Sequence, residues 1–120
     1  MGELKVGFNE GNFHNVYPLY LKDIMIGDVT INKNNNKKVF IVYDIHISEE
    51  YRGNYYFPQF LNILEEKAKD EGFDFILLQW INIDKMDSLK NKRFRELSSQ
   101  EKHNLTNLEK NKMYMIKDLR

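Results

Sequence analysis

The chain has 120 residues, of which 42% are hydrophobic, 13% aromatic and 30% charged, so it suits one domain (residues 1–120) with an ordinary core and a soluble surface. Its 18 basic and 18 acidic residues cancel, which argues against a non-specific nucleic-acid binder, since that function draws on a basic excess. With no cysteine there is no disulfide, zinc–thiolate site or cysteine nucleophile, and 3 scattered histidines give no metal-ligand spacing, so no metal is expected.

No apolar run approaches the roughly 20 residues that span a bilayer. The opening MGELKVGFNEG lacks the apolar region of a secretory signal. The expectation is a cytoplasmic protein without a membrane partner. Richness in Asn and Lys reads as coding from an AT-rich genome, such as a phage or a low-GC bacterium.

Residues 3 to 8 (ELKVGF) alternate and predict a short first strand. Asn9 to Asn15 reads as a connection. Tyr17 to Lys22 and Ile24 to Asn32 predict two strands with a tight turn near Lys22-Asp23, and Pro18 places the first of them at a strand start or an edge. NKNNNKK, residues 32 to 38, is the clearest turn, a solvated hairpin tip by composition. Val39 to Ser48 follows as a strand. Strict alternation puts Val39, Ile41, Tyr43, Ile45 and Ile47 on one face and Phe40, Val42, Asp44, His46 and Ser48 on the other. The second face turns polar at its C-terminal end, a suitable place for a site.

Tyr55 to Glu71 is the strongest helix, with Phe57, Phe60, Leu61, Leu64 and Ala68 at helical spacing. Pro58 is tolerated only in the first turn, and Gly72 is a natural terminator. Phe73 to Ile81 is nearly continuously apolar, as suits a strand covered on both faces. Residues 39 to 81 therefore read strand–helix–strand, a crossover that makes the two strands parallel. Asp84 to Lys92 predicts a short helix, Phe94 to Leu97 a short strand, Ser98 to Asn111 a long loop with some helix, and Lys112 to Leu119 a final strand.

This order, together with "IHISEEYRG" at residues 45 to 53, resembles the GNAT family of acyl-CoA-dependent N-acyltransferases. The family's segment is commonly V-x-P-E-Y-R-G. Ile47 stands at the Val, Glu50 and Tyr51 at the Glu-Tyr, and Arg52-Gly53 at the Arg-Gly. The later motif N-x-x-A-x-x-x-Y-x-x-x-G-F is matched by Asn82 and Phe94 at the right spacing, and "MYMIKDL" is typical of the last strand. The resemblance covers residues 16 to 119 in order of elements and is specific over 45 to 64 and 82 to 94. It implies an α+β fold, an α/β/α sandwich around a mixed, mostly antiparallel sheet with one parallel crossover. Departures are also present. In the family's phosphate loop, Arg/Gln-x-x-Gly-x-Gly/Ala, Arg52 matches, but Tyr55 and Phe57 replace the small residues. Lys85 replaces the Ala, Arg93 the Gly, and Leu89 stands where many members carry a Tyr that protonates the leaving thiolate. The two helices that help shape the family's acceptor site cannot fit in Asn9 to Val16.

The resemblance implies acetyl-CoA as cofactor and an amine of a small molecule or protein as acceptor. Its pyrophosphate would sit at the helix start, where unsatisfied N–H groups and the positive end of the macrodipole attract anions. Cofactor-binding candidates are His46, Ile47, Ser48, Arg52, Gly53, Asn54, Tyr55, Tyr56, Phe57 and Asn82. Asp44 and His46 are the candidate bases, His having the suitable unperturbed pKa. The plainer alternatives are a hydrogen-bonded strand histidine, a solvated turn arginine at Arg52 and a helix-capping Asn82. With Leu89 in the acid position, Tyr55, Tyr56 or Tyr114 would have to supply the proton. A second functional expectation is a GNAT-fold protein that has lost catalysis and binds a macromolecular partner, fitting a phage protein that blocks or modifies a host factor. A homodimer through a C-terminal strand edge is an expectation from the family alone.

Overall fold

A computed structural model describes residues 3–79, 86–105 and 113–120. The strands are β1 (Leu4–Val6), β2 (Val16–Leu21), β3 (Ile24–Asn34), β4 (Val39–Ile47), β5 (Phe75–Gln79), β6 (Arg95–Glu96) and β7 (Tyr114–Asp118). The helices are α1 (Tyr56–Asp70), α2 (Met86–Asn91) and α3 (Ser99–Asn104), with a single 3-10 turn at Glu49–Tyr51. The described strands form one sheet in the order β1-β2-β3-β4-β5-β7-β6. All neighbours are antiparallel except β4 and β5, which α1 joins as the predicted parallel crossover. The mixed sheet and the α+β class are as expected. The predicted calls on Asn82, Asp84 and Lys85 lie outside the described residues.

Local chemistry explains the ends of these elements. Asn34 Oδ1 accepts from Lys37 N at 3.0 Å and turns the polar run after β3, which extends two residues further than predicted. Helix α1 ends in a Schellman motif: Gly72 sits at φ 82°, its N–H donates to Lys69 O and Phe73 N–H donates to Ala68 O, both at 3.0 Å. Helix α2 ends in the same way, with Arg93 N–H bonded to Lys90 O and Phe94 N–H to Leu89 O. There the left-handed position is filled by Arg93 at φ 73°. Ser98 and Glu101 form a reciprocal capping box on α3, inside what the sequence shows only as a polar stretch.

The core lies on both faces of the sheet. On one, Phe60, Leu61, Leu64 and Ala68 of α1 and Leu89 of α2 pack against Leu19, Ile26, Val29, Ile31, Phe40, Val42, Ile76 and Met115. Lys92 Nζ ties α2 to α1 through Asn62 Oδ1 at 3.0 Å. Beneath α1, Lys117 Nζ of β7 donates to Glu65 Oε2 at 2.8 Å, and Glu65 is only 6% exposed. On the other face Val39, Leu77 and Ile116 pack with Leu97, Leu105 and Tyr114.

Strand β4 departs from the predicted alternation. Thr30 pairs with Asp44, but the next residue, Ile31, pairs with Val42, so Tyr43 is an extra residue on β4. The bulge advances the side-chain phase by one. Ile45 and Ile47 therefore join Phe40 and Val42 in the α1-side core. Asp44 and His46 share the opposite face with Val39 and Ile41, not with Phe40 and Val42 as strict alternation predicts.

Candidate active site

The parallel ladder between β4 and β5 runs from Val39↔Phe75 to Val42↔Leu78. Strand β4 continues five residues further, bonded to β3 as far as the Gly27↔Ile47 pair. Among the described residues the β4–β5 ladder ends just before the bulge, at Val42↔Leu78. This end of the described ladder coincides with the point where β4 turns polar. Gly27 holds this end of β4 close to β3: a Cβ on Gly27 would lie 2.0 Å from the His46 carbonyl oxygen, so no other residue fits without moving the backbone.

Asp44 and His46 are both exposed on the same face. Their cross-strand partners are Thr30 and Asp28. The alternation in "GDVTIN" carries this signal, but only the register reveals that Asp28 faces His46. Ile47 is buried, and its carbonyl accepts from Arg52 Nε at 2.8 Å. Ser48 N–H donates to Ile26 O at 2.8 Å. Arg52 thus organises the loop by tying its start to the end of β4.

The loop between β4 and α1 has a defined path. Gly53 lies at φ 84° with nothing near its missing Cβ, so its freedom serves the backbone turn alone. Asn54 Nδ2 donates to Tyr51 O at 3.1 Å. Tyr55 is the N-cap of α1 at φ 60°, ψ 24°, the left-handed conformation that glycine adopts without strain. Its ring is 80% exposed and makes no capping hydrogen bond. Tyr56 and Phe57 turn the other way, half-buried against the α1-side core. Gln59 Nε2 donates back to Tyr55 O at 3.1 Å.

The backbone path glycine would take is therefore kept at Tyr55, and the same holds at Arg93, where the family has its second-motif Gly. The first turn of α1 contains no acidic residue, and Lys67 and Lys69 occupy its last turn. The first feature leaves the N-terminal end open to an anion, and the second complements the dipole at the other end. Pro58, in that first turn, removes one donor. Leu89, at the family's acid position, is 1% exposed and wholly committed to the core.

Tyr114 lies opposite Gln79, one step beyond the last β4–β5 pair. It packs on the same face of the sheet as Ile116, Leu77 and Val39. That is also the face of Asp44 and His46. Among the described residues no group of three or more His, Cys, Asp or Glu could hold a metal ion. No helix among them is long and apolar enough to cross a membrane.

No protein-family model and no curated protein sequence matches this chain. Solved structures do. A Bacillus subtilis acetyltransferase in complex with CoA superposes with TM-score 0.67 at 19% identity, over 88% of this chain and 76% of that one. An acetyltransferase of the GNAT family from Staphylococcus aureus Mu50 gives TM-score 0.62 at 17% identity, over 88% of this chain and 67% of that one. Nourseothricin acetyltransferase gives TM-score 0.63 at 17% identity and 88% coverage, and this chain spans only 65% of its length. The chain has the GNAT acetyltransferase fold.

Proposed function

We propose that this chain is an N-acyltransferase that moves an acetyl group from acetyl-CoA to the primary amine of a small molecule or protein. The observation that carries the reading is the Tyr43 bulge in β4, which turns Asp44 and His46 together onto one exposed face just before the loop that leads into α1. Among the described residues the β4–β5 ladder stops before this segment, at Val42↔Leu78.

The residues present fit the cofactor. The N-terminal end of α1 carries no side-chain cap and no acidic residue, and Tyr55 keeps a glycine-like backbone with its ring turned to solvent. Arg52, Gly53, Asn54 and the backbone of residues 55–57 would hold the anionic end, and the β4 edge at His46, Ile47 and Ser48 the extended arm. Asn82 is a further candidate. When bound, the cofactor supplies an activated thioester. The chain's own part is to orient the acceptor and take its proton, by His46 or by Asp44, directly or through water. Loss of Asp44 is expected to lower the rate by about 10² if it is the base and to leave it within a few-fold if His46 is.

Calorimetric titration with CoA and with acetyl-CoA tests the reading. Micromolar binding supports it, and thiol release from acetyl-CoA in the presence of primary amines would follow. Absence of binding in the wild type, with binding gained in Tyr55→Gly, would overturn it. It would favour the second reading, a protein of this fold that acts by binding a macromolecule. That alternative draws on the buried Leu89 and on the aromatic residues at positions 55 and 57.

A further inference from the structure

Strands β1 to β4 are packed on one face only. Toward α1, Leu19, Ile26, Val29, Ile31, Phe40 and Val42 are all buried. On the opposite face the register lines side chains up in rows across the strands. Pro18, Asp28 and His46 make one row, and Val16, Thr30 and Asp44 the next. No member of either row is buried, and Asp44 and His46 are exposed. The second core cluster, with Val39, Leu77, Leu97 and Ile116, occupies this face only from the start of β4 toward β5 and β7. A broad part of the sheet thus turns a bare face to solvent.

Its charge is one-sided, although the 18 basic and 18 acidic residues of the whole chain cancel. The side chains of Asp28 and Asp44 have no hydrogen-bond or ion-pair partner among the described residues. Glu10 adds a third carboxylate. A Cβ on Gly7 would lie 2.7 Å from both Glu10 Oε2 and Pro18 Cγ, which puts this carboxylate at the β1 end of the Pro18–Asp28–His46 row. Its Oε1 accepts from Tyr20 Oη at 2.6 Å. Against these stands Lys5, paired with Tyr20 across β1 and β2 and held with Nζ 5.0 Å from the Tyr20 ring centroid.

We propose that this face docks an extended protein segment carrying lysine or arginine at alternate positions. Asp28 and Asp44 are diagonal neighbours across β3 and β4, about 7–8 Å apart. Alternate side chains of an extended chain repeat every 6.7 Å or so, about the same interval. Two cations on one side of such a segment meet both aspartates. A third, continued along the same diagonal, reaches the Tyr20 ring and Glu10, where carboxylate and aromatic face both favour it. Nucleic acid is disfavoured, because its phosphates would meet carboxylates. Small molecules bind in concave sites that enclose most of their surface, which a bare strand face does not do. An extended segment gains contact by its length instead. The surface does not depend on acetyl transfer. Where transfer occurs, the same segment brings its amine to the rows that hold Asp44 and His46.

The test is an NMR titration of the isotope-labelled full chain, with and without CoA, using a short peptide that alternates lysine with serine. Its Lys→Gln and Lys→Glu counterparts are the controls. The lysine peptide is expected to bind and to move the amide signals of Tyr20, Asp28, Thr30, Asp44 and His46. Its affinity is expected to fall as salt is raised, and the glutamine peptide to bind about 10-fold more weakly. Asp28→Lys is expected to reverse the preference from the lysine to the glutamate peptide, and Asp28→Asn to weaken it. Equal binding of the lysine and glutamine peptides, or shifts confined to other parts of the chain, would overturn the proposal. So would a short diamine that matches the lysine peptide, since the face would then be a small-molecule site. Concentration-dependent shifts of these same signals without peptide, with a dimer in sedimentation, would assign the face to a second copy and overturn it too. CoA binding is read separately by calorimetry, so failure here leaves the acetyl-transfer reading standing. The wild-type shift map decides the matter even where an Asp28 variant folds poorly.

Discussion

Replacing Tyr55 by glycine isolates what an unusual residue does at a turn. At φ 60° a side chain with a Cβ meets its own following carbonyl, at a cost of roughly 1–2 kcal/mol. The ring is 80% exposed, so its removal forfeits little packing. Glycine raises the entropy of the unfolded chain, which offsets about 0.4–1 kcal/mol. The balance is a gain of up to about 1 kcal/mol for Tyr55→Gly. For a domain of this size that raises Tm by about 3–5 °C. Tyr55→Ala is the control, since it removes the ring but keeps the Cβ, and it is expected to match the wild type within about 0.5 kcal/mol. Urea denaturation of the three proteins, with calorimetric titration of CoA alongside, gives both stability and binding. Glycine less stable than alanine would refute the reasoning, because the left-handed backbone would then not be what strains this position.

Arg93→Gly applies the same argument at the end of α2, with an expected gain of about 1 kcal/mol in urea melts, additive with Tyr55→Gly. Gly27→Ala forces a Cβ against the His46 carbonyl and is expected to destabilise by about 2–3 kcal/mol, with chemical-shift changes concentrated around residues 26–28 and 45–48. Leu89→Tyr, which restores the family's acid in name, is expected to lose about 1–3 kcal/mol and to regain no rate, because the position faces a filled core. Glu101 is held at about 2, chiefly by the hydrogen bond from Arg95, with the Ser98 backbone N–H adding to it. Its folded value is lowered, so its contribution is present above the ordinary carboxylate value of 4.5 and fades as pH falls from there toward 2. Partial exposure of the pair reduces that contribution to about 1 kcal/mol, and Glu101→Gln should flatten the acid limb of a pH–stability curve by this amount.

Much of the fold is legible from residue order. The 3.6-residue spacing of Phe57, Phe60, Leu61, Leu64 and Ala68, with Pro58 at one end and Gly72 at the other, determines α1 locally. The apolar run from Phe73 to Ile81 suits a covered strand, and the intervening helix then makes the β4–β5 pair parallel. These features rest on hydrophobic period and on turn chemistry, which act between near neighbours. Gly53 is likewise readable as a turn residue, whereas Tyr55 reads as the first helical residue and sits instead at the left-handed N-cap of α1.

The site itself is a tertiary decision. Whether Asp44 and His46 face α1 or the opposite side depends on one extra residue, Tyr43, and a one-residue slip inverts a strand's faces. A bulge is set by the pairing with β3, which alternation within β4 does not record. The pairings of Asp28 with His46 and of Gln79 with Tyr114 join residues 18 and 35 positions apart in sequence. Glu65 and Lys117 meet across 52 positions. Sequence period says which side chains are buried. Only strand order and register say which of the remaining polar ones meet, because those contacts come from the packing of the whole sheet.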